Sequence, residues 1–372
     1  MKDMAKFSDF ISEYKTAQEP SKQEKARNWD IAIGLQQVDG LTPSRYLYQV
    51  ARDNIEGKLS HDEVHQSLRQ YYRTPEGDEL GIEYWEADTV SNRIAELLSN
   101  SSFTFAPTTL LSIHKYLFNA ALPEHWVGNV RTKDIIKAEN VLMGDTVHYA
   151  SHMDIMPTLE YDFDREERFD YSTLNTRAQV EHIAQFVSGL WQIHPFREGN
   201  TRTIAVFAIK YLRNKGFAAD NELFKDYAEY FRNALVRANY ENIPRGIKRT
   251  YKYLNLFFGN LLLGENNSLN GDDMVINIAN SEIKTSDITS DITSDKCSDL
   301  NIDDLNKTER TFFIAIAEKL CTLGYITAAD AISITGKSPQ RVRQLFVALV
   351  NKGFLVATGQ NKGRKYSLPE KR

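Results

Sequence analysis

Apolar positions recur at helical spacing along most of the first two thirds of the chain. Val180, Ile183, Ala184, Phe186, Val187 and Leu190 show the pattern most clearly, because residues three and four apart share one face of a helix. Runs of this kind extend from about Tyr84 to Leu263 and predict a main helical domain over 84–263. Upstream, shorter runs between Asn28 and Tyr72 are broken at Gly40 with Pro43 and at Gly57 with Ser60. Short helices are therefore expected inside an N-terminal region spanning 1–83, with a small module at about 28–72. One stretch departs from the helical period. Ile135–Ser151 has β-type residues on both sides of Met143-Gly144-Asp145, which predicts a β-hairpin.

After Leu263 the pattern stops. Residues 264–305 hold ten acidic residues against two lysines and the tandem repeat Ser286-Asp287-Ile288-Thr289 and Ser290-Asp291-Ile292-Thr293, a composition expected of a flexible acidic linker. Residues 306–372 invert that charge, with twelve Lys or Arg against four acidic residues. Their order is helix (Glu309 to Leu323), helix (Ala328 to Ile334), a Gly-Lys turn, helix (Pro339 to Lys352), then an extended pair over Phe354 to Leu368. That order predicts a small α+β winged helix-turn-helix domain.

A length of 372 residues predicts two or three domains. The net charge of −5 argues against a chain that coats nucleic acid along its whole length. No segment approaches the ~20 apolar residues needed to span a bilayer, and Met1 to Lys15 lacks the apolar run of a secretory signal, so a cytoplasmic location is expected. Cys297 and Cys321 have no zinc-ligand spacing and imply no disulfide framework.

The chemistry concentrates in His194-Pro195-Phe196-Arg197-Glu198-Gly199-Asn200-Thr201-Arg202, between two strongly patterned helices. This reads as a tight loop ending at a helix N-terminus, where backbone N–H groups around Gly199, Asn200 and Thr201 lack internal partners and can hold a phosphate. Gly199 permits close backbone approach. Arg202 adds a fork of donors, Glu198 a hard oxygen ligand for Mg²⁺, and His194 a base that titrates near neutrality. Phe196 is expected to anchor the loop in the core.

The stretch closely resembles the Fic signature, and the resemblance covers roughly Trp29 to Leu263. It implies the all-helical Fic fold and an enzyme, a protein adenylyltransferase, that uses ATP and Mg²⁺ to move AMP onto a Ser, Thr or Tyr hydroxyl of a target protein or of itself. It implies His194 as catalytic base, Glu198 as the metal ligand, and Phe196, Arg197, Gly199, Asn200, Thr201 and Arg202 around the nucleotide phosphates. Ile135–Ser151 takes the place of the Fic flap, so Val147, His148 and Tyr149 are expected to dock an extended target segment. Tyr230, Phe231 and Asn239 resemble the adenine-binding stretch. Residues 34–57 resemble the antitoxin-like inhibitory module of such proteins, with Asp39-Gly40 at the inhibitory position.

Two positions depart from the family pattern: Ala205 replaces a second arginine, and Thr201 replaces a common Gly or Lys. AMP transfer, transfer of another nucleotide and removal of AMP all stay open at this point. Because the second arginine is missing and Asp39 is one methylene shorter than glutamate, the inhibitory pairing is expected to be weak, with Arg202 as the alternative partner. In the C-terminal domain Lys337, Arg341 and Arg343, with Lys362, Arg364 and Lys365 on the wing, are candidate DNA contacts, which makes a DNA-binding regulator the competing function. Homodimerisation is compatible with the same sequence.

Overall fold

The computed structural model describes residues 19–217 and 223–276 and most of 305–369. The chain divides into two compact units, one formed by Met1–Ile136 and Val147–Met274, the other by Lys137–Thr146 and Val275–Arg372. Among the described residues no helix is long and apolar enough to cross a membrane.

The first unit is helical. In chain order it contains α1 (Pro20–Gly34), a 3-10 turn (Leu35–Asp39), α2 (Arg45–Ile55), α3 (His61–Tyr71), α4 (Pro75–Leu80), α5 (Ile82–Ser99), α6 (Pro107–Phe118), α7 (Ile155–Glu167), α8 (Thr176–Ile193), α9 (Asn200–Asn214), α10 (Leu223–Asp226), α11 (Ala228–Asn239) and α12 (Lys252–Leu263). Local chemistry explains where several begin. Ser44 accepts from the Leu47 N–H to open α2, Ser60 and Glu63 form a reciprocal capping box on α3, and Asn175 accepts from the Ala178 N–H to open α8. Side-chain oxygens there satisfy donors that the helix itself leaves without partners.

Helix α9 forms the centre. Every residue from Asn200 to Leu212 is buried, and α5, α6 and α8 pack against it. At its far end Lys210 donates to the Leu97 carbonyl (2.8 Å) and Arg213 to the Leu98 carbonyl (2.8 Å), so two cations meet the C-terminal carbonyls of α5. The N-terminal helices are tied to α5 by Asp88, whose carboxylate accepts from the Ser44 N–H (2.8 Å), the Ser44 hydroxyl (2.5 Å) and the Tyr72 hydroxyl (2.8 Å). Burial pushes this carboxyl up to about 6 against the pull of those three donors.

Two expectations change. The segment Ile135–Ser151 turns back on itself, but it carries no β-ladder. Instead Asn140–Leu142 form a 3-10 turn, followed by Met143 (φ 57°) and Gly144 (φ 94°) in left-handed backbone. The turn is closed by the Glu139 N–H donating to the Asp145 carbonyl (2.9 Å) and the Gly144 N–H to the Glu139 carbonyl (3.0 Å), with the Lys137 N–H donating to the Thr146 hydroxyl (3.2 Å) beside them. The second change concerns the linker, because residues 264–276 remain ordered. Asn267 and Asn260 exchange hydrogen bonds at 2.8 and 2.9 Å, Glu265 pairs with Arg177, and Met274 is buried. Glu265 and Asn267 thus tie the start of that stretch to α8 and α12. The tandem repeat, Cys297 and Cys321 lie outside the described residues.

In the second unit, helical residues within 308–320 precede β1 (Ile326–Thr327), α13 (Ala328–Thr335), α14 (Pro339–Asn351), β2 (Val356–Thr358) and β3 (Lys365–Ser367). The strands form an antiparallel sheet in the order β1-β3-β2, with Ile326 opposite Tyr366 and Val356 opposite Ser367. Phe312, Phe346, Leu349 and Tyr366 share its apolar core. Within this unit the Ile276 N–H also donates to the Val141 carbonyl (3.0 Å).

Candidate active site

The turn between α8 and α9 is held from three directions. His194 ends α8 in left-handed backbone (φ 51°), a conformation that costs a non-glycine residue energy unless its surroundings hold it. Arg131 supplies the hold: its Nε donates to the His194 carbonyl (2.9 Å), its backbone N–H to the Pro195 carbonyl (2.8 Å), and its Nη2 to the Ala150 carbonyl. Inside the turn, the Asn200 side chain accepts from the Phe196 N–H (2.9 Å) and donates to the Phe196 carbonyl (2.7 Å). Phe196 is fully buried and stacks on His114 at 3.8 Å.

His114 fixes the remaining part. Its Nδ1 accepts from the Gly128 N–H (2.9 Å), which leaves the proton on Nε2 to be donated to the Glu198 carbonyl (3.1 Å). Burial lowers its pKa to about 4, so the ring is neutral near pH 7. Gly199 opens α9 in left-handed backbone (φ 73°) without a side-chain cap, so the first-turn N–H groups have no intrahelical acceptor. A Cβ at this position would meet Phe118 at 2.3 Å. Packing against Phe118 is thus sufficient to require glycine, apart from any approach to a phosphate.

Arg202 lies deeper than the sequence implied. It is buried, and its guanidinium meets Gln36 (Nη1 to Oε1, 3.0 Å), Glu86 (Nη2 to Oε1, 2.6 Å) and Asp39 (Nε to Oδ2, 2.7 Å). Gln36 and Asp39 arrive together because side chains three apart eclipse in a 3-10 turn, and Gly40 (φ 72°) ends that turn. Asp39 also contacts Arg232 of α11 at 3.2 Å. Asp39 thus reaches Arg202, the alternative partner, directly and meets Arg232 as well, while Ala205 is fully buried.

The remaining candidates separate. His194 is only 3% exposed, with the Tyr149 ring at 4.2 Å and the Trp191 ring at 5.5 Å. His148 and Ala150 run beside the end of α8, where Gln192 donates to the His148 carbonyl (2.7 Å), while Val147 is buried. Thr201 accepts from the Trp191 indole (3.0 Å). Glu198 and Arg197 are exposed, and Arg197 lies over Trp126 at 4.6 Å. Phe196 has no surface for a nucleotide and serves as the core anchor. Phe231 is fully buried against Phe224 and Phe257, Tyr230 is also buried, and Asn239 donates to the Ser188 hydroxyl (2.8 Å). Tyr230 and Phe231 thus pack the core, while Asn239 is half-buried and engaged with α8.

Residues 103–212, from just before α6 to the end of α9, match the model of the Fic/DOC family. This stretch is a Fic/DOC family domain. Members of that family generally transfer nucleotide-derived groups to proteins. The chain is also similar to two solved structures. A Fic family protein from Desulfovibrio desulfuricans G20 is 13% identical, with 100% of this chain and 96% of that one covered and a TM-score of 0.40. The N-terminal FIC domain of Bep8, a VirB-translocated effector protein from Bartonella sp. 1-1C, is 18% identical, with 51% of this chain and 88% of that one covered and a TM-score of 0.37. No curated protein matches the chain.

Within the Fic domain the matched segment contains His194 and Arg202 together with His114 and Arg131, two residues that sequence reading did not single out. Glu86 and Arg232 were missed as well, and both lie outside it. No spacing motif links any of the four to the loop; for Glu86, His114 and Arg232 the local signal was a charged or polar side chain within a helix, and Arg131 lies in irregular chain after α6.

Proposed function

We propose that this protein transfers AMP from ATP to a hydroxyl side chain of a protein, itself included, with His194 as general base. The observation that carries the reading is the rigid turn joining His194 to the uncapped N-terminus of α9. A phosphate accepted by those first-turn N–H groups lies one turn of chain from the imidazole.

In the reaction, His194 takes the proton of the attacking hydroxyl. The oxygen forms a bond to the α-phosphorus, the bond from that phosphorus to the bridging oxygen breaks, and pyrophosphate leaves. Glu198 is the exposed carboxylate of the turn and would hold Mg²⁺. Among the described residues no cluster of three His, Cys, Asp or Glu could hold a metal alone, which suits an ion that arrives on the phosphates. When bound, Mg²⁺ neutralises phosphate charge. Arg202 and Arg232 both grip Asp39, and a carboxylate held by two guanidinia occupies the kind of site that phosphate oxygens take. Arg232 thereby replaces the arginine absent at Ala205. An extended target segment would lie along Val147–Tyr149.

The test is self-labelling of the full chain with Mg²⁺ and α-labelled ATP, GTP, CTP or UTP, followed by mass spectrometry of the product. AMP is the expected added mass, and His194→Ala is expected to lower the rate by ~10²–10⁴. Labelling of His194→Ala at the wild-type rate would overturn the assignment. Preferential incorporation from another nucleotide would replace AMP as the transferred group.

A further inference from the structure

The second unit has a face that the transfer reaction leaves unused. From Gly336 to Pro369 the sequence holds seven Lys or Arg and no Asp or Glu. Of the acids described between Leu305 and Thr335, Glu309 accepts from Lys352 (2.6 Å), and Asp330 accepts from the Thr327 N–H (3.0 Å) and hydroxyl (2.7 Å). The stretch that carries α14 and β3 thus contributes positive charge with no carboxylate of its own.

The helix itself is two-sided. Val342, Leu345, Phe346 and Leu349 face the core, while Arg341, Arg343, Gln344 and Val347 are exposed, Val347 by 52%. At 100° per residue, Gln344 and Val347 occupy the middle of the outer face, and Arg341 and Arg343 lie toward its two edges. Arg341 donates to the Gln344 carbonyl oxygen (3.1 Å) and so orients that amide. Beside the helix, Tyr366 of β3 stacks on Phe346 at 3.8 Å and 5°. The stack fixes the strand that carries exposed Arg364 and Lys365, whose heads lie over Tyr366 (5.7 Å) and Tyr325 (3.8 Å).

We infer that this unit binds duplex DNA, with α14 in the major groove and β3 against the flanking backbone. An amide and an apolar side chain at the middle of a groove-facing helix match the adenine edge and the thymine methyl, and cations on both edges match the two phosphate strands. Lys337 lies in the turn before α14 and is half-buried. Lys362 lies outside the described residues.

The test uses the full chain and a fluorescent pool of 30-base-pair duplexes with a randomised centre. Phosphate contacts from Arg341, Arg343, Arg364 and Lys365 predict a log–log salt slope of about −3.6 and a loss of roughly a hundredfold in affinity between 50 and 200 mM salt. Arg343→Gln and Lys365→Gln are each expected to flatten the slope by about one without changing the melting temperature. Gln344→Ala with Val347→Ser is expected to leave affinity for unselected duplex within about twofold and to change the sequence enriched from the pool. Equal competition by heparin or single-stranded DNA, or a slope unchanged in both cation variants, would overturn duplex binding. Enrichment of the same sequence by the Gln344/Val347 variant would overturn the placement of α14.

Discussion

His114 illustrates how a side chain that touches no reacting atom governs the turn. Its neutral ring joins the Gly128 N–H to the Glu198 carbonyl and supports Phe196 from below, so protonation would turn its one acceptor into a donor facing a donor. The folded pKa, about 4, lies below the ordinary value of 6.5, and burial is the main cause. Stability from this residue is therefore fully present above about pH 6.5 and is lost as pH falls through 4. The difference amounts to about 3 kcal/mol. Urea melts of wild type and His114→Gln at pH 7 and pH 4 are expected to show the wild type losing about that much relative to the variant. A difference that does not change with pH would mean that the ring is not held neutral.

At the scale of elements, the 3-10 turn Leu35–Asp39 reaches the site as a unit. It presents Gln36 and Asp39 to Arg202 on one face and holds Val38 in the core. Removing one partner of a buried ion pair costs a few kcal/mol, and Asp39 is partly open to solvent, which argues for the lower part of that range. If Asp39 occupies the place of phosphate oxygens, Asp39→Asn is expected to raise the initial self-labelling rate by ~10²-fold, equivalent to about 2.7 kcal/mol. Arg232→Gln is expected to give no such rise and to raise the KM for ATP, because it removes a phosphate ligand along with the restraint. A gain below tenfold for Asp39→Asn would show that the turn packs against the site without controlling it. The flap segment makes the complementary point: its β-type residues predicted a β-hairpin, and the structure has instead a turn built on the left-handed pair Met143-Gly144 without a ladder.

Across the whole molecule, the end of the first unit matters for both stability and activity. Every side chain placed at the site belongs to that unit, so the second unit is expected to be dispensable for transfer. A chain ended after Ile276 should retain self-labelling within about twofold. A chain ended after Gly264 also loses the Glu265–Arg177 pair, the Asn260–Asn267 bonds and the burial of Met274. Burial of one such side chain contributes about 1.5–3 kcal/mol, so the shorter chain is expected to melt several degrees lower in a calorimetric comparison. Identical melting of the two would show that residues 265–276 add nothing. A folded but inactive Ile276-ended chain would show that the second unit completes the site.

The sequence by itself determined the helical period of the first unit, the break between helices at Gly57 and Ser60, the order of elements in the second unit, and the loop His194–Arg202 as a turn that ends at a helix N-terminus. These features depend on residues a few positions apart, whose spacing and capping chemistry can be read along one line of chain. Only the tertiary structure decided which distant groups meet that loop. Arg131 holds His194 across 63 positions, His114 holds Glu198 across 84, Glu86 meets Arg202 across 116, and Gln36 meets it across 166. It also decided that Phe231 fills the core and that Asp39, despite its short side chain, reaches a buried arginine. The reach of a side chain depends on how closely two helices pack, and that distance is set by the volumes of all the residues between them, not by any local pattern.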